Sequence, residues 1–560
     1  MRAPNRARYR SAPLSVGAIA AALALPAAAF QIETGDPDLK ILWDTTFKYS
    51  ATFRVEGSSE AIVGSTLPNY DPASPSYFPN TDDGSRNFKT GPVSNRLDIL
   101  SELDILYRNI GARVSGAGWY DTIYRRDGNA NNSPTTANPI SVDANQFTHA
   151  TQVLMGADAE LLDAFVFAKG TLGDGMRGTV RLGKHTLLYG ESLMFGANGI
   201  AAAQAPIDVI KAATVPNAQF KEFMMPVNQV SGQLQITPEV MVGGYYMFEW
   251  KSDRLPASGS YFSFMDALGT GAERLIVGYS PLGNVSFNHI ENMHAKNSGQ
   301  FGLQLRFHVA ETDYGLYAVQ WNDHGPSGPY LVPFAAPVPF SKGLQVGNYQ
   351  FVFHEGIRAV GASANTTFDK VNFGAEVSYR WNTPVSSDAQ VNLSGGNNSD
   401  NPLYAVGKSV HAQINWIASL GPTFLANEAD FVGELAWNRL LSVSRNPNAV
   451  NPLATRNATN IRFVFEPKYR QVFPGVDLSV PVGVGYGIDG NSSVVGAFQG
   501  EGIGDISVGL NGSYLDVWRF GLSYTHYFGS SAPFIAFGHQ MFKQYWGDRD
   551  YVSLNIRRTF

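Results

Sequence analysis

The order of apolar and polar positions along the chain has a period of two over most of its length. In Trp43 to Val55 the odd positions carry Trp43, Thr45, Phe47, Tyr49, Ala51, Phe53 and Val55, while the even positions carry Asp44, Thr46, Lys48, Ser50, Thr52 and Arg54. Successive side chains of a strand point to opposite faces, so this spacing predicts a strand with one apolar and one polar face. Arg96 to Arg108, Phe301 to Val309 and Val371 to Trp381 repeat it. So do Val230 to Ile236, Val240 to Trp250, Ala429 to Trp437, Leu478 to Tyr486, Ile506 to Tyr514 and Trp518 to Phe528. Strands of this length, with aromatics near their ends, match the ~9–11 residues that cross a bilayer at a tilt.

Connections follow a second alternation. Short links such as 108–111, 170–175, 237–239, 280–283, 310–313, 369–370, 470–475 and 514–517 interleave with long polar ones such as 56–95, 125–160, 322–356, 382–402, 438–460 and 529–548. Tight turns at one end and long loops at the other are the layout of an outer-membrane barrel. The predicted fold is therefore an all-β transmembrane antiparallel barrel of about 16–20 strands, with 20 the preferred count, closed because lipid tolerates no unpaired backbone. Tyr551 to Phe560 reads as the closing strand, with Arg558 the one break in the parity of Val552, Leu554, Ile556 and Phe560.

Composition agrees with that picture. Charged residues make up 16% of the 560 and aromatics 12%, against about 25% charged in soluble globular chains. Residues 1–29 combine Arg2, Arg6, Arg8 and Arg10 with an apolar run from Leu14 to Leu25 and the small residues Ala27 to Ala29, the pattern of a cleaved secretory signal. Removing its four arginines and no acid takes the formal charge from −6 to −10, which excludes nucleic acid as an expected partner. The absence of cysteine excludes disulfides and thiolate metal sites. Residues 30–560 are expected to form a single barrel domain in the outer membrane of a Gram-negative bacterium.

Two resemblances add to this. The terminal Phe560 on an amphipathic strand resembles the signal that the barrel-assembly machinery reads on its clients, which implies that machinery as a partner. The blocks Trp43–Tyr49, Asn95–Asp104, Ala112–Asp121, Gly183–Ser192, Lys221–Pro226, Phe248–Lys251 and Arg254–Pro256 resemble an envelope family known as domain of unknown function 1302. The resemblance implies a proteobacterial outer-membrane barrel, found in the company of hydrophobic-compound metabolism. It carries over no ligand or catalytic residue.

Residues 190–227 depart from the strand pattern. The stretch is rich in Ala and Met and broken by Pro206 and Pro216, which predicts short helices. A wide barrel needs a constriction or plug to be selective, so this segment is expected to fold into the lumen. A surface loop packing on itself is the alternative. Candidate lumen or ligand residues are His185, Tyr189, Glu191, Asp208, Lys211, Phe220, Lys221, Glu222, Phe223, Met224 and Met225. Lys48, Arg54, Asp98, Glu102, Asp104, Arg306, Glu376 and Arg380 place both signs of charge on lumenal faces, so no strong ion preference is expected.

Other motifs read as structural. His526 lacks the Ser two residues on that outer-membrane phospholipases carry, since Phe528 stands there, and its parity assigns it to the lipid side. Gly483–Gly487 and Gly500–Gly504 lack the helix a phosphate loop needs. Asp82-Asp83, Asp127–Asn132 and Asn397–Asp400 are candidates for surface calcium binding, but no twelve-residue calcium loop is present, and solvated loop polarity is the default reading. No enzyme, metal or cofactor is expected. The expected function is passive, selective uptake of a small organic, partly hydrophobic compound across lipid. The alternative is a non-transporting surface or envelope-assembly protein, and after it a lipid-modifying enzyme.

Overall fold

The computed structural model describes residues 30–67, 76–125, 132–173, 175–217 and 219–560, so the expected signal segment and residues 126–131 lie outside the described residues. Eighteen antiparallel strands close into a barrel, from Leu39–Arg54 to Tyr551–Thr559. Leu39–Arg54 pairs with Gly91–Tyr107 on one side and with Tyr551–Thr559 on the other. Phe560 prolongs the seam, its N–H donating to Thr45 O at 2.9 Å and its carbonyl accepting from Thr45 N at 3.1 Å. Arg558, the break in parity, sits on the outer face with its guanidinium 4.9 Å from the Trp518 ring and 4.5 Å from the Phe560 ring. Aromatic faces on both sides let a cation occupy an outward position near the strand end.

The count is two below the preferred one, and the excess lies at the Ser280–Gly283 turn. Its flanking strands, Arg274–Ser280 and Gly283–His289, share the alternation of the barrel strands but are 7 residues each, too short for a tilted crossing. They join Pro329–Phe340, Gly343–Phe351 and Gln390–Val391 in a separate five-stranded sheet built from the long loops. One barrel strand is interrupted at Pro481, which has no N–H to donate, and its halves Val476–Ser479 and Val482–Asp489 pair with the same two neighbours.

The alternation resolves into two surfaces. Leu97, Ile99, Val180, Leu182, Leu303, Val377, Ile414, Val508, Leu522 and Leu554 stand exposed on the outside, an apolar band that only lipid can cover. Their sequence neighbours point inward, where Glu376, Arg380, His411 and Glu434 are buried. Burial of charges inside a barrel requires something in the lumen, and that something is the connection between Met176–His185 and Val227–Gln235.

Candidate functional site: a segment bound across the lumen

The segment enters the barrel after His185 and forms three short turns of helix: Ile200–Ala203, Val209–Thr214 and Phe220–Glu222. Asp208 caps the second, accepting from Lys211 N at 3.0 Å, and Glu222 closes the third through Gln219 N at 2.9 Å. Such short helices are not stable alone, so the barrel wall must hold them.

Three wall residues do most of that. Glu376, inward on Val371–Pro384, accepts the backbone N–H groups of Glu191 at 2.8 Å and Ile200 at 2.5 Å. Glu434, inward on Glu428–Arg445, accepts those of Leu193 at 3.0 Å, Phe195 at 2.9 Å and Met194 through the same oxygen. Arg380 donates to the carbonyls of Ala197, Asn198 and Gly199 at 3.2, 2.6 and 2.7 Å. Irregular backbone at membrane depth needs protein partners for its polar groups, and these side chains supply them. Gln413 and Asn415 add contacts to Ser192 and to the carbonyl of Glu191.

Glycine permits the approach. Gly190 has φ +88°, and a Cβ there would lie 2.1 Å from Glu376 Oε2. At Gly199 a Cβ would lie 2.1 Å from Ser192 Oγ and 2.7 Å from Glu376 Oε1. A side chain at either position would force the Glu376 carboxylate out of its place against the segment.

Apolar packing secures the same edge. Tyr189, Ile200 and Ala203 pack with Tyr245, Met247, Tyr317, Val319 and Trp321 of the inner wall. The Tyr189 ring lies 5.4 Å from Tyr245 and 6.2 Å from Tyr317. Glu191 turns its side chain to Asn365 at 3.0 Å and to Arg306 at 3.6 Å.

Away from this edge the lumen stays open in two places. A cavity of about 310 Å³ separates the segment from the wall formed by the last strands; Phe220, Phe223 and Ala212 face it from the segment, and Arg462, Tyr527 and Trp546 from behind. Arg462 is neutralised by Asp505 through two hydrogen bonds, one of 3.1 Å, so aromatic surface dominates. A second hollow of about 370 Å³ is lined by Asp104, Arg113, Asp163, Lys169, Arg181 and His185.

The sequence-derived candidates divide accordingly. Phe220 and Phe223 line the aromatic cavity, their rings 5.4 Å apart. Met224 packs behind them, and Met225 N–H donates to Pro206 O at 2.8 Å, so neither lines it. His185 borders the charged hollow but is 1% exposed, with Nε2 2.7 Å from Ser231 Oγ and Nδ1 3.0 Å from Gly183 O. Asp208 accepts from Arg254 at 2.9 Å, and Arg254 also donates to Glu160, which ties the segment to a barrel strand. Lys211 donates to Glu222 O at 2.6 Å, while the side chains of Lys221 and Glu222 are exposed. The reading of the sequence missed Glu434, Trp546 and Tyr527. Parity marks Glu434 as inward, but nothing local ties it to residues 193–195, some 240 positions away.

Comparison with solved structures finds matches of low identity over most of the chain. Acinetobacter baumannii OccAB2 is 9% identical, with 93% of this chain and 98% of that chain covered and a TM-score of 0.42. Pseudomonas aeruginosa OccK1 (OpdK) is 9% identical over 92% and 98%, with a TM-score of 0.40, and the Acinetobacter baumannii outer membrane channel DcaP is 10% identical over 95% and 100%, with a TM-score of 0.36. Similarity at this level extends to no individual residue. No curated protein matches the chain. The family model described as "Protein of unknown function (DUF1302)" matches residues 10–560, and the chain belongs to that family.

Proposed function

We propose that this protein is a channel of the Gram-negative outer membrane that admits a small organic, partly hydrophobic compound by passive diffusion, with residues 190–227 as its constriction. The observation that carries the reading is the fastening of residues 190–200 to the inner wall through Glu376, Arg380 and Glu434. A barrel with no traffic through it has no need of a segment fixed at mid-lumen, whereas a selective pore needs one. The aromatic cavity beside Phe220, Phe223 and Trp546 supports a ligand with an apolar body, since adaptable aromatic walls hold such groups without fixed hydrogen bonding. The apolar outer band supports the membrane location, and the Phe560 seam supports insertion by the barrel-assembly machinery.

Single-channel conductance in a planar bilayer tests this, with the intact protein and with residues 195–225 deleted. The expected result is a low or gated conductance in the intact barrel that rises after the deletion. An ohmic current of equal size in both removes the constriction. A barrel silent in both forms, though folded, removes the channel and leaves a non-transporting surface or assembly role.

A further inference from the structure

Asp82 and Asp83, which the sequence suggests are solvated, are 0% and 1% exposed. They meet Asp266, itself 0% exposed, where the loop after Leu39–Arg54 packs against the loop after Val240–Met247. One carboxylate oxygen from each of the three lies within 4.8 Å of the others.

The partners of these oxygens do not suffice. Arg86 Nε donates to Asp82 Oδ2. The side-chain amide of Asn132 and the N–H of Asn138, at 2.8 Å, donate to Asp83, and the N–H of Asp83 donates to Asp266 Oδ2 at 3.1 Å. Among the described residues, Asp82 Oδ1 and Asp266 Oδ1 have no hydrogen-bond partner, although both are fully buried. The buried hydroxyls of Thr81, Ser260 and Ser263 on the same two loops also lack one. Arg274 and Arg549 act on the cluster through space, but their hydrogen bonds go to carbonyls, those of Ala137 at 2.6 Å and of Tyr261 at 2.7 Å among them. Among the described residues the three buried carboxylates thus share one direct ion pair, an arrangement that is unfavourable unless a further positive group completes it.

We propose that Asp82, Asp83 and Asp266 are ligands of a calcium ion that pins the two loops together at the long-loop end of the barrel. Calcium binds oxygens at about 2.3–2.6 Å, so any two of its ligands stand at most about 5 Å apart, a limit that the three oxygens, all within 4.8 Å of one another, satisfy. Magnesium demands near-ideal octahedral geometry and gives up its waters reluctantly, which favours calcium at a buried site. The donor set is all oxygen, with neither His nor Cys, which disfavours zinc and copper.

Calcium titrated calorimetrically into the detergent-refolded barrel, stripped with a chelator, tests the assignment. The expected result is one ion per chain with a Kd of about 10⁻⁴–10⁻³ M or tighter and weaker uptake of magnesium. Asp266→Asn should weaken calcium at least about tenfold, while Asp400→Asn, on an exposed loop, leaves it unchanged. If Asp266→Asn does not refold, Asp266→Glu keeps the charge but displaces the ligand oxygen, and weaker calcium binding in that folded variant supports the site equally. Absence of saturable uptake up to about 5 mM overturns the proposal. So does uptake unchanged by the Asp266 variants, or an Asp266→Asn barrel that is more heat-stable than the parent with and without calcium, since protons would then be what neutralises the cluster.

Discussion

Two arcs of the barrel wall carry the same alternating sequence pattern and end up as different materials. In the arc formed by Val371–Pro384, Val406–Leu420 and Glu428–Arg445, the inward charges Glu376, Arg380 and Glu434 are buried against the lumenal segment and bond to its backbone. In the arc formed by Gly91–Tyr107, Ile110–Asp121 and Ala157–Leu172, the inward charges bond to one another: Arg113 reaches Asp104 at 2.7 Å, Asp163 at 3.4 Å and also Glu102, around an open hollow. Glu434 is 0% exposed as a residue, and the Arg113 side chain is 30% exposed. Parity decides which residues face inward. Whether an inward charge becomes a structural anchor or part of a solvated ladder depends on what the chain places against it.

The sharpest way to break the contrast is Glu434→Ala, which leaves the N–H groups of Leu193, Met194 and Phe195 without their acceptor. We expect a loss of about 3–5 kcal/mol in denaturant unfolding, together with a rise in conductance. A drop below about 1 kcal/mol would place Glu434 in the same class as Arg113. Gly190→Ala is the next strongest perturbation, since its Cβ would meet Glu376 Oε2 at 2.1 Å at a left-handed φ. About 2 kcal/mol is expected, with faster proteolysis of residues 190–200 as the readout.

His354 extends the packed arc into the loop layer and gives it a pH dependence. Its ring is 0% exposed, with Nε2 3.0 Å from Asn382 O and Nδ1 2.7 Å from the Tyr404 hydroxyl. The carbonyl requires Nε2 to donate, so Nδ1 accepts and the neutral ring fits. Burial pushes its pKa down from 6.5 to about 4. Its contribution is therefore complete above pH 6.5 and fades as pH falls toward 4, because the unfolded chain takes up the proton first. Hydrogen exchange at residues 352–357 should accelerate over that window, by the equivalent of about 1–2 kcal/mol, and His354→Gln should flatten the profile. The smallest effect is expected from Arg113→Ala, below about 1 kcal/mol, with a change in ion selectivity instead.

Much of the fold was legible before any coordinates. Trp518–Phe528 is a strand over the same residues that the alternation marks, and Val371–Pro384 is longer than its marked stretch by three residues at the end. The Ser280–Gly283 hairpin shows the limit, because period two reports a strand with two faces and not which sheet it joins. The lumenal site was legible as a place, through the Ala, Met and Pro content of residues 190–227, but not as a set of contacts. Phe220 and Phe223 line a cavity, yet Met224 and Met225, equally apolar and adjacent, do not. Asp82 and Asp83 look like any loop acids, and only their encounter with Asp266 removes them from water.

By itself, then, the sequence determined the closed amphipathic sheet, the alternation of tight turns and long loops, and the one connection too apolar to lie in water. These follow from local rules: side-chain alternation, and the exclusion of unpaired backbone from lipid. Tertiary structure alone decided the strand number, the anchors Glu376, Arg380 and Glu434, and the division of the lumen into a packed edge, an aromatic cavity and a charged hollow. The anchors depend on contacts between residues far apart in the chain, such as Ile200 with Glu376 or Phe195 with Glu434, and no local pattern encodes which distant backbone group a buried carboxylate will meet.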